Sequence, residues 1–259
     1  MCDLVKVIAS GSKGNSTYIE SNGTKILIDV GINYTLIKES LKEIDRDIND
    51  LDGIFISHAH HDHISGLEQL HKRVKAPVFI RKYLESTVRK IVSDDYINII
   101  DTNVKINIGS FEIEVFNNSH DVPNSGYVIT GKENSFVYIT DTGYINKKNI
   151  EKTINKNVYI IESNHDEEML MNGPYPYMLK QRVIGDAGHL SNSACTTYLK
   201  KVIGPDTKYI ILAHISENNN TYDIAHKHAC EELKDIFNTD HIIVAYQNKG
   251  ADVIKLWLK

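Results

Sequence analysis

The segment His58-Ala59-His60-His61-Asp62-His63 sets three imidazoles and one carboxylate in an H-x-H-x-D-H spacing, at the end of the apolar run Gly53-Ile54-Phe55-Ile56-Ser57. Imidazole nitrogen and carboxylate oxygen suit borderline divalent metals, and with no Cys nearby the set does not choose among Zn, Mn and Fe. A short apolar run bounded by a polar turn reads as a buried strand, so these side chains fan out from a loop on a rigid base. A bare pair of histidines in a surface loop is commonplace and binds metal weakly. This stretch differs because other ligand types each follow an apolar run of their own. His120 follows the run 111–116, Asp141 the run 136–140, and His214 the run 209–213. Strand then ligand, four times, predicts one sheet edge supplying one metal site.

The elements that must carry these residues follow from apolar spacing. Val5-Lys6-Val7-Ile8 and Lys25-Ile26-Leu27-Ile28 read as strands beside Gly-Ser and Asn-Gly turns, a hairpin-rich opening. Spacing turns helical over 36–44, returns to strand over 54–56, and Ile64, Leu67, Leu70 and Val74 predict a helix directly after the motif, its N-terminus beside the site. Strand character resumes at 77–80, helix at 83–91, and a set of strands fills 104–140. The second half alternates strands at 158–161, 209–212 and 241–245 with helices at 194–203 and 222–237. Mixed strands with interleaved helices fit two sheets covered by helices.

The chain has 259 residues, 41% of them apolar and 24% charged, which suits one globular α/β domain covering 1–259. No stretch reaches the roughly 18 to 20 apolar residues that span a bilayer, and Met1-Cys2-Asp3-Leu4 does not resemble a basic, apolar leader. A cytoplasmic protein with no membrane partner is expected. Cys2, Cys195 and Cys230 are scattered and odd in number, and form neither a metal pair nor a disulfide framework, so reduced, structural cysteines are expected. A formal net charge of −5 argues against a generally basic nucleic-acid binder but weighs only lightly against a DNA substrate. Bound cations would offset carboxylates at a metal site, and Lys13, Lys180 and Arg182 remain to steer a phosphate backbone.

With Asp29 in Leu27-Ile28-Asp29-Val30-Gly31, Ser119-His120-Asp121, Thr140-Asp141-Thr142-Gly143 and Leu212-Ala213-His214-Ile215-Ser216, the motif set resembles the metallo-β-lactamase superfamily. That resemblance implies an α/β four-layer αββα sandwich with mixed sheets. More narrowly, Ala9-Ser10-Gly11-Ser12-Lys13-Gly14-Asn15, Glu162-Ser163-Asn164-His165-Asp166, Gly173-Pro174-Tyr175-Pro176, Leu179-Lys180 and Gly188-His189-Leu190-Ser191-Asn192 resemble the YycJ (WalJ) family. It implies a metal-dependent phosphodiester hydrolase, a 5′-to-3′ exonuclease with DNA as its nucleic-acid partner. The superfamily pattern implies one metal on His58, His60 and His120, a second on Asp62, His63 and His214, and Asp141 bridging them, with Asp29 as a supporting residue behind a ligand imidazole. Only about 70 residues separate Asp141 from His214, whereas an independent domain usually needs about 50 to 200. Most of them are already assigned to strands and helices, so no β-CASP insertion is expected.

A pair of divalent ions can share and activate a water, giving a bridging hydroxide, and Asp62 is placed with that catalytic group. Phosphodiester cleavage must also protonate a leaving alkoxide. His189 with Glu162 resembles the acid pair of the tRNase Z branch. A packed loop His189 beside a Ser191 or Asn192 helix cap competes with that reading. Substrate contacts are expected from Ser12, Lys13 and Asn15 in a small-residue turn that a hairpin would need equally, and from Asn164, His165, Lys180 and Asn192. Tyr175 and Tyr177 are candidates for base stacking. His61 lies at an unspecified position of the motif, and His71, His226, His228 and His241 read as packed or solvated. The alternative function is a lactonase or thioesterase of the glyoxalase II kind, using the same hydroxide on a carbonyl. A thioester needs little leaving-group protonation, so loss of His189 separates the two.

Overall fold

The computed structural model describes residues 3–102 and 104–256; the expectation for Cys2 falls outside them. The first half runs β1 (Asp3–Ala9), β2 (Ser16–Ser21), β3 (Thr24–Ile28), α1 (Tyr34–Lys42), β4 (Gly53–Phe55), α2 (His61–Ile64), α3 (Leu67–His71), β5 (Val78–Arg81), α4 (Glu85–Val88) and β6 (Ile97–Ile100). Then come β7 (Ile106–Ile108), β8 (Phe111–Asn118), β9 (Asn124–Thr130), β10 (Ser135–Ile139), α5 (Lys147–Thr153), β11 (Val158–Glu162), α6 (Glu167–Asn172) and α7 (Tyr177–Ile184). The chain closes with α8 (Asn192–Val202), β12 (Tyr209–Ala213), α9 (Tyr222–Leu233), β13 (Ile242–Val244) and β14 (Ile254–Leu256).

These strands form two seven-stranded sheets, ordered β14-β1-β2-β3-β4-β5-β6 and β13-β12-β11-β10-β9-β8-β7. Each is antiparallel where hairpins connect its strands and parallel where helices do. The β2–β3 hairpin turns on Asn22-Gly23, both at positive φ (46° and 85°), the conformation a tight hairpin asks of that pair. Helix α1 carries the chain from β3 to its parallel neighbour β4. Its N-cap Asn33 accepts from Leu36 N at 2.9 Å.

Strand alternation assigns the layers. In β3, Ile26 and Ile28 enter the core between the sheets, while Leu27 packs with Ile37, Leu41, Leu67 and Leu70 beneath the helices of the first half. In β10, Phe136 and Tyr138 face the inter-sheet core and Val137 and Ile139 face Tyr198, Leu199 and Leu233 from α8 and α9. The layers are therefore helix, sheet, sheet, helix, an α/β sandwich with mixed sheets. Cys195 and Cys230 are free thiols, the first buried.

Several expectations need correction. The strand-then-ligand pattern draws on two sheets: β4 belongs to one, and β8, β10 and β12 belong to the other. Period alone carries no information about which sheet a strand joins. The helix expected after the motif begins inside it and breaks at Gly66, whose N donates to Val30 O at 2.8 Å where two loops pass in contact. The helix expected over 83–91 is α helical only over Glu85–Val88. Helices α5, α6 and α7 and strand β14 escaped the periodicity reading. The first three are short and mostly polar or exposed, and β14 is a three-residue strand paired with β1 far away in sequence.

Candidate metal centre

Strand ends and backbone kinks aim the site. Asp29 directly follows β3, Asp141 lies just past β10 and His214 directly follows β12, and all three have left-handed φ (61°, 55° and 52°). That conformation is uncommon outside Gly, tolerated by Asp and His, and recurs at functional sites. Here it turns a side chain aside just where its strand stops. The motif itself leaves β4 through Ser57 and His58, and His60 caps α2, which carries Asp62 and His63.

The expected ligands converge. Donor atoms of His58, His60 and His120 lie within 4.8 Å of one another, and so do those of Asp62, His63 and His214. Asp141 sits between the two groups. Its Oδ2 is 3.0 Å from His63 Nε2, and its Oδ1 is 3.4 Å from His214 Nε2 and 4.0 Å from His120 Nε2. Asp62 Oδ2 is 3.3 Å from His63 Nε2 and 3.5 Å from His214 Nε2. His58 Nε2 is buried without a hydrogen-bond partner, and the close approaches of His214 Nε2 and Asp141 Oδ2 to other donor atoms of the cluster lack hydrogen-bond geometry. Orphaned polar atoms of this kind are costly, and nitrogen and oxygen donors facing inward fit divalent cations.

Charge is arranged to match. Burial, then neighbouring His63, pushes His58 down to about 2, leaving a neutral imidazole ready to coordinate. Burial alone would lower His214, but Asp141, Asp62 and Glu162 raise it to about 10. His63, equally buried, is raised well above its usual value by Asp141 and Asp29. Burial opposes ionisation of Asp141, yet His214 and His63 hold it well below the usual carboxylate range.

Behind the ligands lies a ring of buried partners. Asp29 Oδ2 is 2.8 Å from His63 Nδ1 and accepts from Ser57 Oγ at 2.9 Å and Tyr138 OH at 3.1 Å, while its Oδ1 accepts from Ser57 N at 2.8 Å. Glu162 is fully buried at the end of β11. Its Oε1 accepts from His189 Nδ1 at 2.7 Å and His214 Nδ1 at 2.9 Å, and its Oε2 from Thr142 N at 3.0 Å and Leu190 N at 3.2 Å. Burial pushes this carboxyl up, but His189 and His214 bring it down to about 2. His189 in turn is raised above its usual value, Glu162 outweighing burial. The sequence pairs Glu162 with His189 alone; its hold on His214 is visible only in three dimensions. The Ser191 cap is present too, accepting from Ala194 N at 3.1 Å.

A cavity of about 270 Å³ opens over the cluster, lined by Ser12, His60, Asp62, His120, Asp141, His189 and His214. Tyr175, Leu179, Arg182 and Val183 of the segment carrying α7, together with Asp121, also line it. Of the expected substrate contacts, only Ser12 lies on this wall. Lys13 is paired with Glu217 at 2.6 Å, and Lys180 Nζ donates to Met171 O at 2.6 Å. Asn15, 1% exposed, donates to Gly11 O at 3.0 Å and Asp62 Oδ2 at 3.1 Å, so it braces the metal loop. Asn164 donates to His214 O at 2.9 Å, and Asn192 is locked to Ser163 at 2.7 Å and Asn220 at 2.9 Å. His165 is buried, 2% exposed. The three asparagines hold loops in place through these bonds, whereas His165 lies outside the cavity lining and its Nδ1 is buried without a hydrogen-bond partner. Sequence reading left Asp121 without a task, although its place directly after His120 was the available signal.

Comparison with known proteins agrees with this architecture. Residues 24–215 match the family described as the Beta-lactamase superfamily domain. Exodeoxyribonuclease WalJ of Streptococcus pneumoniae serotype 2 (strain D39 / NCTC 7466) is 36% identical over 236 residues, covering 88% of this chain and 87% of that protein. Exodeoxyribonuclease YycJ of Bacillus anthracis is 33% identical over 234 residues, covering 88% of each. Among solved structures, the metallo-β-lactamase fold protein YhfI from Bacillus subtilis superposes with a TM-score of 0.75 at 18% identity, over 98% of this chain and 99% of that one. With a sandwich of the same build and relatives aligned over most of its length, this chain belongs to the metallo-β-lactamase superfamily and, within it, to the family of the WalJ and YycJ exodeoxyribonucleases.

Proposed function

We propose that this chain is a DNA exonuclease that hydrolyses phosphodiester bonds from a 5′ end in the cytoplasm, using two divalent ions of the Zn, Mn or Fe class. His58, His60 and His120 would hold one ion and Asp62, His63 and His214 the other, with Asp141 between them. When bound, such ions supply an activated water and neutralise charge on the attacked phosphoryl group. The observation that carries the reading is the Glu162–His189 pair beside the ligand cluster. Glu162 can only accept, so His189 Nδ1 donates to it and the ring's other nitrogen remains for the cavity. Glu162 favours the protonated form of this imidazole, the form that can deliver a proton to the departing alkoxide. DNA as the polymer is supported by the names of the WalJ and YycJ relatives.

The test uses DNA labelled at its 3′ end, carrying either a 5′ phosphate or a 5′ hydroxyl, with Mn or Zn added. Stepwise shortening from the 5′ end is expected, abolished by chelator and by Asp141→Ala or His60→Ala in protein of unchanged far-UV circular dichroism. If either variant hydrolysed bis-p-nitrophenyl phosphate at the wild-type rate, the site assignment would be wrong.

A further inference from the structure

The cavity wall is short of positive charge for a site that must accept a polyanion. Asp62, Asp121 and Asp141 line it, and among the described residues Arg182 is the only lysine or arginine that does. Lys13 and Lys180 are engaged elsewhere, by Glu217 and by Met171 O. Arg182 stands on α7, within the stretch 171–187 in which no residue is buried. This strap contributes Tyr175, Leu179 and Val183 to the same wall.

The guanidinium is fixed by one partner: Nη2 donates to Asp121 Oδ2. Asp121 Oδ1 meanwhile lies 3.4 Å from His60 Nε2 and 3.3 Å from His120 Nε2. One carboxylate therefore ties the strap to the ligand cluster. The Arg182 side chain is 65% exposed and lines the cavity, so the donors of the planar fork not bonded to Asp121 are open to a ligand. A guanidinium fork matches phosphate oxygens in bidentate geometry, which an ammonium does not.

We infer that Arg182 is the phosphate-binding residue of this site, held in register by Asp121 as a positioning residue. The inference rests on the nuclease reading and adds to it the group that grips the strand. The phosphate it takes is either the 5′-terminal monoester or the diester next to it, and the ligand's 5′ end distinguishes them.

The experiment measures binding of a 3′-fluorescein oligodeoxynucleotide with cleavage-resistant phosphorothioate linkages at its 5′ end, bearing a 5′ phosphate or a 5′ hydroxyl. Metal-loaded wild type, Arg182→Ala and Arg182→Lys are compared, and the metal content of each is determined. Arg182 is exposed, so both variants should fold. Arg182→Ala should weaken binding about tenfold or more, the scale of a lost charge-assisted fork, with Lys recovering part and metal content unchanged. A loss confined to the 5′-phosphorylated ligand identifies the terminal monoester, and an equal loss for both ligands identifies the diester. Steady-state rates on cleavable DNA should show the defect chiefly in KM. Unchanged affinity in Arg182→Ala overturns the inference and leaves the nuclease reading standing. Loss of metal from Arg182→Ala overturns it as well, because Arg182 would then act only by bracing Asp121. Failure of wild type to bind either DNA overturns both readings.

Discussion

Glu162 serves two imidazoles with one oxygen, and the consequences differ for each. His189 faces the cavity, so its removal should cost proton delivery and little else. His189→Ala is expected to lower the phosphodiester kcat about 100-fold with metal content intact, and to remove the alkaline fall in rate that deprotonation of wild-type His189 produces. Glu162→Gln also withdraws the acceptor that orients His214, so it should lose metal as well as rate; such supporting partners typically carry about 10- to 100-fold in affinity or activity. Equal metal content in the two variants would contradict this division. Protons compete with metal at the same nitrogens. His214, raised to about 10 in the metal-free cluster, has a folded pKa above the unfolded value of about 6.5. Its proton therefore stabilises the metal-free fold fully below about 6.5, and that contribution is lost as pH rises toward about 10. Metal binding must expel the same proton, so affinity should fall steadily as the solution is acidified, read by titration calorimetry in buffers of different ionisation enthalpy.

At the level of elements, the centre depends on three loops laced by backbone hydrogen bonds. Asn15 N donates to Asp62 O at 2.8 Å, Gly31 N to Asn15 O at 2.9 Å, and Val30 N to His63 O at 2.9 Å. Gly31 permits this approach: a Cβ there would fall 1.6 Å from Asp62 O and 2.7 Å from Asn15 N, both backbone atoms with nowhere to retreat. Gly31→Ala should therefore push the loop bearing Asp62 and His63 outward. The expected result is a loss of about 1 to 3 kcal/mol in stability, the usual range for overpacking, together with reduced metal occupancy measured by elemental analysis. Wild-type occupancy in a folded Gly31→Ala protein would show that the close approach does not position the ligands. The H-x-H-x-D-H spacing announces the ligands but says nothing about the glycine that lets their loop close.

Across the whole molecule, the inter-sheet core draws on both sheets, with Phe55, Ile28 and Val5 meeting Phe111, Tyr127, Phe136 and Tyr138. Neither sheet can bury its inner face without the other. We expect a single calorimetric unfolding transition, with divalent metal raising Tm because the ligands come from both sheets and bind only the folded state. Two separated transitions would show instead that each half folds alone. The candidate ligands that converge, their strand-end positions and most strand cores were legible in the sequence, because metal chemistry restricts residue type and spacing and burial imposes period-two patterning. Asp29 behind His63 and the Glu162–His189 pair were legible through motif resemblance. The sequence could not show that β4 and β10 belong to different sheets, that Glu162 also grips His214, that Asn15, Asn164 and Asn192 brace loops, or that Arg182 lies on the cavity wall while Lys13 and Lys180 do not. Those facts depend on pairings between residues dozens to hundreds of positions apart. Local spacing determines what a side chain can do and which face it occupies, whereas only the closed sandwich determines which side chains meet.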